Sequence, residues 1–308
     1  MLNNILITGG AGFIGANLIR KLILKKKNIT VLDNLSKGSL AYLPKSVSLI
    51  KADIRDKESL KEIISNQDCI IHLAAYGSVI ESINNPEMNF DINVKGTFNI
   101  LNQAKDLQIK KFIFASTGGA LIGDAIPPVN EKSLPKPISP YGSSKLCGEA
   151  YCHSFAKSFN MNTVCLRFAN IYGPYSAHKS GAITKFIKSL INNEPITIYG
   201  NGLSTRDYLH VDDLSDGIIS ALEKDLVSGS VLHLASGKEV AILDLVKLLI
   251  KIANKPNHPI KFLAKRAGEV ERNFANYDKA SINLNFQPTI DFENGLKSTW
   301  MWFKKYFK

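Results

Sequence analysis

Three glycines spaced three apart, Gly9, Gly12 and Gly15, separate a short apolar run, Asn4-Ile5-Leu6-Ile7-Thr8, from residues 16–24, which carry apolar side chains at helical spacing. This order reads as strand, glycine turn, helix. Gly9 permits a tight turn, Gly12 lets a phosphate approach the backbone, and Gly15 lets the helix pack close on the strand. The helix opening, with Phe13 and Ile14, offers unpaired N–H groups and a positive dipole end to a pyrophosphate. A second strand, residues 28–33, ends in Asp33, whose carboxylate can bind both ribose hydroxyls of an adenosine and repels a 2′-phosphate. A glycine triplet alone carries little weight. In this context it predicts NAD rather than NADP.

Further β-rich runs at 47–50, 69–73, 111–115 and 162–167 alternate with helical stretches near 58–66, 89–107 and 141–159. Buried strands alternating with helices predict an α/β fold, a Rossmann-type doubly wound parallel sheet covered on both faces. After Pro174 the pattern loosens into a helix at 182–192, a strand at 196–199 and the turn Gly200-Asn201-Gly202. The helix 211–224 and the strand 230–234 are expected to rejoin the main sheet. The expected division is therefore an NAD-binding Rossmann domain over 1–174, with 207–237 returning to it. A smaller C-terminal α/β lobe, mainly 175–308, would bind the substrate.

Composition narrows the function classes. The 308 residues carry a net charge of +11, from 38 Lys and Arg against 27 Asp and Glu. Only six of these cations are arginines, and the lysines are dispersed apart from Lys25-Lys26-Lys27, so the charge reads as diffuse surface charge rather than a nucleic-acid face. No apolar stretch approaches the roughly 18 residues of a membrane span. The opening residues lack the cationic flank and apolar region of a secretory signal, which points to a cytoplasmic chain. Cys69, Cys147, Cys152 and Cys165 lie in mainly apolar segments without CxxC spacing, so buried thiols are expected, with neither metal site nor disulfide framework.

The chemistry concentrates at Tyr141-Gly142-Ser143-Ser144-Lys145, which sets a phenol and an ammonium four residues apart on one face of a helix opening after Pro140. A tyrosine with a pKa near about 10 is a poor base at neutral pH, but a neighbouring cation favours its phenolate. The same lysine can hydrogen-bond the nicotinamide ribose. An isolated YxxxK is usually a packed Tyr beside a solvated Lys; behind a dinucleotide fingerprint it reads as a catalytic pair.

With these motifs the chain resembles the extended short-chain dehydrogenase/reductases, in the nucleotide-sugar epimerase and dehydratase branch. The resemblance spans nearly the whole chain. It is carried by Gly9 to Gly15, Asp33-Asn34, Asp53-Ile54, His72-Leu73-Ala74-Ala75, Asn93 to Thr97, Ser116-Thr117, Tyr141 with Lys145, Arg167 to Pro174 and Arg206 to Asp213. It implies that Asn34, Asp53 and Ile54 lie at the adenosine, that Leu73, Ala74 and Ala75 line the dinucleotide path, and that Asn93 stands near the active-site backbone. It further implies that Thr117, with Ser116 as the second candidate, bonds the sugar hydroxyl beside Tyr141. Ser78 and Asn170 would contact the substrate, and Arg206 and Arg266 would neutralise its diphosphate. For Arg20, Arg55 and Arg272 ordinary surface ion pairs are expected. A homodimer joined through the helices near 89–107 and 141–159 is likewise implied.

Members of this branch begin by oxidising the sugar at C4′. Dehydratases add an Asp-Glu pair just after the catalytic threonine and decarboxylases usually a nearby Glu, whereas here Thr117 is followed by Gly118-Gly119-Ala120, with no carboxylate until Asp124. The reaction this favours is NAD-dependent 4-epimerisation of a UDP-sugar through a transient 4-keto intermediate. Two departures from the family pattern stand out: Leu121-Ile122-Gly123 replaces the common VYG, and glycines occupy the place where many epimerases put the hydroxyl residue. Aligning Gly268-Glu269-Val270 with the family's GD/GE motif places Asn273 where glucose-specific enzymes often carry a bulky tyrosine, leaving room for an acetamido group. The competing readings are a dehydratase, decarboxylase or reductase of the same family, and a catalytically silent NAD-binding regulatory module.

Overall fold

The computed structural model describes residues 2–265 and 270–307. Its centre is a seven-stranded parallel sheet built from β1 (Asn4–Thr8), β2 (Asn28–Asp33), β3 (Ser48–Lys51), β4 (Cys69–His72), β5 (Lys111–Thr117), β6 (Thr163–Phe168) and, late in the chain, a strand at Ser230–Leu234. The strand order runs from that late strand through β6, β5, β4, β1 and β2 to β3, every pairing parallel. Strands β4 and β6 are buried along their whole length, the unbroken burial of a sheet covered by helices on both faces.

Helix α1 (Phe13–Leu24) covers one face. On the other lie α2 (Lys57–Ile64), α3 (Val79–Asn84), α4 (Pro86–Phe90), α5 (Thr97–Asp106), the short α6 (Gly119–Ile122) above the end of β5, and α7 (Pro140–Phe159). The helix expected over 89–107 is interrupted: a π-helical stretch, Asp91–Gly96, widens it between α4 and α5. Within that stretch Asn93 accepts from the Tyr76 backbone N–H at 2.7 Å and donates to Ser144 Oγ at 3.0 Å, tying the chain leaving β4 to α7. Strand order reverses around β1, so the crevice at the carboxyl ends of β1 and β4 is the topological switch point where ligands of such sheets bind.

The rest forms the lobe and its attachments: β7 (Asn170–Tyr172), α8 (Ala182–Asn192), β8 (Ile196–Tyr199), β9 (Thr205–Arg206), β10 (Tyr208–His210), α9 (Val211–Glu223), the late sheet strand β11 (Ser230–Leu234), β12 (Val240–Ala241), α10 (Ile242–Ala253), β13 (Ile260–Leu263), α11 (Asp278–Leu284) and α12 (Phe292–Tyr306). Its core is Ile187, Leu190, Leu245, Leu249, Leu296 and Phe303, drawn from α8, α10 and α12. Helix α9 and strand β11 pack into the main core, and so do Ala280, Leu284 and Phe286 of the α11 region. Cys69, Cys152 and Cys165 are buried free thiols and Cys147 is a half-buried one. Among the described residues no helix is long and apolar enough to cross a membrane, and no three side chains form a metal-binding group.

Candidate active site

The glycine turn is shaped by close backbone approach. Gly9 has φ +69°, and a Cβ there would lie 2.7 Å from the Ala74 nitrogen. A Cβ on Gly15 would lie 2.5 Å from Gly10 Cα and O, so α1 seats on the strand only because that position is bare. A Cβ on Gly12 would meet only Gly9 O, at 3.2 Å, and would otherwise project into open space over the helix end. Gly12 is also the N-cap of α1, with no side chain capping the helix, so the first N–H groups, including those of Phe13 and Ile14, are left to a ligand. The Asp33 carboxylate is held at the end of β2 by the N–H groups of Ala11 (3.0 Å) and Leu35 (2.8 Å), while burial pushes its pKa up. This cradle fits a dinucleotide.

Along the same crevice Leu73 and Ala74 follow β4, their N–H groups donating to Thr8 O (3.0 Å) and Thr8 Oγ1 (3.2 Å), and Ala75 continues the path. Asn34 donates to Asp53 at 2.9 Å, and Arg55 grips the same carboxylate with two nitrogens, holding its pKa well below the usual range. The Ile54 side chain is buried in the core, where a Cβ on Gly96 would meet it at 2.5 Å.

Tyr141 and Lys145 sit in the first turns of α7, which Ser139 caps by accepting from the Gly142 N–H. Tyr141 bonds the Thr117 hydroxyl; burial pushes its phenol up to about 12, and the Thr117 bond works against that rise. Lys145 donates to Ala115 O at 2.7 Å and lies 4.8 Å from the Phe114 ring centre; burial brings its ammonium down to about 8. The Ser116 hydroxyl turns elsewhere and donates to the Glu149 carboxylate at 2.6 Å. Thus of the two hydroxyl candidates Thr117 lies beside Tyr141 and Ser116 does not.

Of the residues expected at the substrate, Ser78 is half-buried and caps α3. Asn170 is exposed on β7, and its N–H and side-chain amide both donate to Asp207 O. Arg206 donates to Thr205 O at 2.7 Å. Asn273 accepts the Asp207 N–H at 2.9 Å, and its side chain occupies the space over Gly119, where a Cβ would lie 2.2 Å from its nitrogen. Arg266, Gly268 and Glu269 lie outside the described residues. Arg55 and Arg272 pair with Asp53 and Glu239. Arg20, expected in an ion pair, instead donates to Ala16 O and Tyr42 O and lies over the Tyr175 ring.

Three features were not legible in the sequence. Glu149 and Arg167 form a buried ion pair beneath Ser116. His72 bridges Thr8 (2.7 Å) and Thr97 (3.0 Å), and burial drives it down to about 3, so it is neutral. The Asp207 carboxylate accepts from Ser236 N, Ser236 Oγ and Gly237 N, fixing the strand that carries Arg206. The spacing of Glu149 four residues after Lys145, on the same helix face, was the available signal for the first.

A doubly wound sheet with a dinucleotide cradle at its switch point, and a half-buried Tyr141 with a buried Lys145 on the helix beside the end of β5, defines the extended short-chain dehydrogenase/reductase class. The chain belongs to the NAD dependent epimerase/dehydratase family, whose model matches residues 5–235, and its cofactor is NAD. It is 34% identical to the UDP-glucose 4-epimerase of Thermotoga maritima solved with UDP-glucose, with a TM-score of 0.95 over 99% of this chain and 100% of the other. The UDP-N-acetylglucosamine 4-epimerase of Methanobrevibacter ruminantium, solved with UDP-N-acetylmuramic acid, is 31% identical, with a TM-score of 0.93 over 99% and 100%. The dTDP-D-glucose 4,6-dehydratase of Dictyostelium discoideum is 33% identical over 98% of this chain and 82% of its own.

Proposed function

We propose that the protein is an NAD-dependent UDP-sugar 4-epimerase. The observation that carries this reading is the Thr117, Tyr141 and Lys145 group at the end of β5, with Gly118-Gly119 following Thr117 and no carboxylate there. Bound NAD supplies reversible hydride exchange at C4′ of the sugar. Gly9, Gly12, Gly15 and Asp33 hold it, with Asn34, Asp53, Ile54, Leu73, Ala74 and Ala75 along its path.

The proton is handled by this chain. Tyr141, as phenolate, takes the C4′ hydroxyl proton, and Thr117 bonds the same hydroxyl. Burial holds the phenol up at about 12 against the pull of Thr117, and the positive charge of an oxidised nicotinamide would favour the phenolate. Lys145, while one N–H donates to Ala115 O, would hold the nicotinamide ribose with another. Ser78, Asn170, Arg206, Arg266 and Asn273 bind the nucleotide sugar, and the keto sugar turns over between the two half-reactions to present its other face. Asn273, shorter than a tyrosine, leaves room for an acetamido group, so UDP-N-acetylhexosamines are accepted.

The same reading includes a homodimer through the helices over 89–107 and 141–159. Phe90, Tyr151 and Phe159 are exposed apolar side chains on these helices, and Phe90 lines an open groove of about 690 Å³ between α4, the π-helical stretch and α7. Light scattering would give the mass of two chains.

Incubation with UDP-glucose, UDP-galactose and their N-acetyl forms, followed by proton NMR and mass spectrometry, tests the reaction. A C4′ epimer of unchanged mass is expected. Loss of water would establish dehydration instead, and turnover of UDP-galactose without its N-acetyl counterpart would reject the role given to Asn273.

A further inference from the structure

Glu149 lies one helical turn beyond Lys145 and two beyond Tyr141 on α7. Its Oε1 accepts from Ser116 Oγ (2.6 Å) and Arg167 Nε (2.9 Å), and its Oε2 accepts from Arg167 Nη2 at 2.8 Å. Ser116, Glu149 and Arg167 are 3%, 6% and 4% exposed. A buried ion pair adds little net stability relative to packed apolar side chains of the same volume. Its consequence therefore lies in what it holds.

It holds the three elements that converge on the reacting group. Ser116 immediately precedes Thr117 on β5, Arg167 stands on β6 three residues before Asn170, and Glu149 shares its helix with Tyr141 and Lys145. The groups facing the Lys145 ammonium are Glu149 and Cys152 of α7, Ala115 O and the Phe114 ring of β5, Cys165 of β6 and the neutral His72 of β4. The hydrogen bond with Cys152, and burial after it, push the Cys165 thiol well up, which leaves Glu149, held in its ion pair by Arg167, as the carboxylate facing that ammonium. Arg167 faces Glu149 from the far side.

We propose that Glu149 is a positioning residue for the proton-transfer group: through Ser116 and Arg167 it sets Thr117 against Tyr141, and its charge keeps the ammonium on Lys145. This rests on the reading of Tyr141 and Lys145 given above.

The test compares wild type, Glu149→Gln, Glu149→Asp and the double variant Glu149→Met/Arg167→Met in the full chain, with UDP-galactose as substrate. Glu149→Gln is expected to lower kcat about tenfold or more while KM moves less than about threefold. Its alkaline limb, where Lys145 loses its proton, is expected to fall by about one pH unit. Glu149→Asp keeps the charge and the wild-type limb. The double variant removes the buried pair as a unit and leaves no unpaired Arg167 guanidinium, so it folds even if Glu149→Gln does not, and it too shows the lowered limb. A folded Glu149→Gln or double variant with wild-type kcat and limb overturns the proposal. Failure of the underlying reading looks different: wild type turns over no sugar, or Tyr141→Phe is fully active. In that case the 13Cε shift of Lys145 in lysine-labelled protein, assigned with Lys145→Met, still decides the charge, since it must titrate lower in Glu149→Gln and an unchanged titration refutes the claim.

Discussion

Ser116 and Thr117 are adjacent hydroxyl residues with different surroundings, and that difference separates chemistry from support. Thr117 bonds Tyr141, whereas Ser116 is spent on Glu149. On the proposed mechanism Thr117→Val lowers kcat and leaves the melting temperature near wild type. Ser116→Ala removes a donor to a buried carboxylate and costs about 1–3 kcal/mol of stability. Measuring Tm and kcat on both variants checks the assignment, and a reversed pattern would move the sugar contact to Ser116. Tyr141→Phe keeps the ring and loses the proton acceptor, so kcat is expected to drop by about a hundred- to ten-thousand-fold with little change in KM. At this scale the sequence offered residue types in the right spacing, because Tyr141 and Lys145 are local on one helix. It left Ser116 against Thr117 open, and it hid the Glu149 to Arg167 pair, because contacts between a helix and a strand are set by how α7 docks on β5 and β6.

Elements were read best where their physics is local. The strands of the main sheet announce themselves as short, continuous apolar runs, and the β1, glycine turn, α1 sequence stands where the motif placed it. The stretch 89–107 reads as one helix because its apolar spacing passes through the π-helical segment, which is held by the tertiary bonds of Asn93. Helices α3 and α4 are too short to declare a period, although Ser78 with Glu81, and Pro86 at a helix start, are start signals in hindsight. The glycine turn yields a paired prediction. In Gly15→Ala the new Cβ meets backbone of Gly10, which cannot swing aside, so α1 is pushed off β1 at a cost of about 1–3 kcal/mol and NAD is lost with it. In Gly12→Ala the Cβ projects mainly into the cradle, so NAD retention falls while Tm stays close to wild type. NAD released on denaturing the purified proteins, read beside their Tm values, checks both; equal losses of stability would refute the distinction.

Over the whole molecule, stability against acid is governed by histidines buried as neutral rings. His72 lies against Phe112 and Phe114 and joins β1 to α5 through Thr8 and Thr97; His233 is buried on β11 beside β6. Burial lowers both to about 3 from an ordinary 6.5. Their folded values are depressed, so the unfolded chain binds protons the native fold refuses. The stability they contribute is complete above about pH 6.5 and is lost as pH falls toward 3, each ring accounting for about 1.4 kcal/mol per pH unit in that window. The carboxylates act elsewhere on the scale. Asp53 and Asp68, held low by their hydrogen bonds, lose their contribution only below about pH 4. Asp33 and Asp207, raised by burial, bind protons in the folded state and offset part of the histidine loss above their ordinary range. Denaturant unfolding at pH 7, 6, 5 and 4 should therefore show a decline that begins near pH 6, ahead of carboxylate titration. His72→Asn should start from lower stability at pH 7, having lost a bridge, and then fall with a shallower slope. A wild-type curve flat from pH 7 to 5 would mean that these rings take up protons in the fold, and that the cover over β4 and β11 is looser than its packing implies.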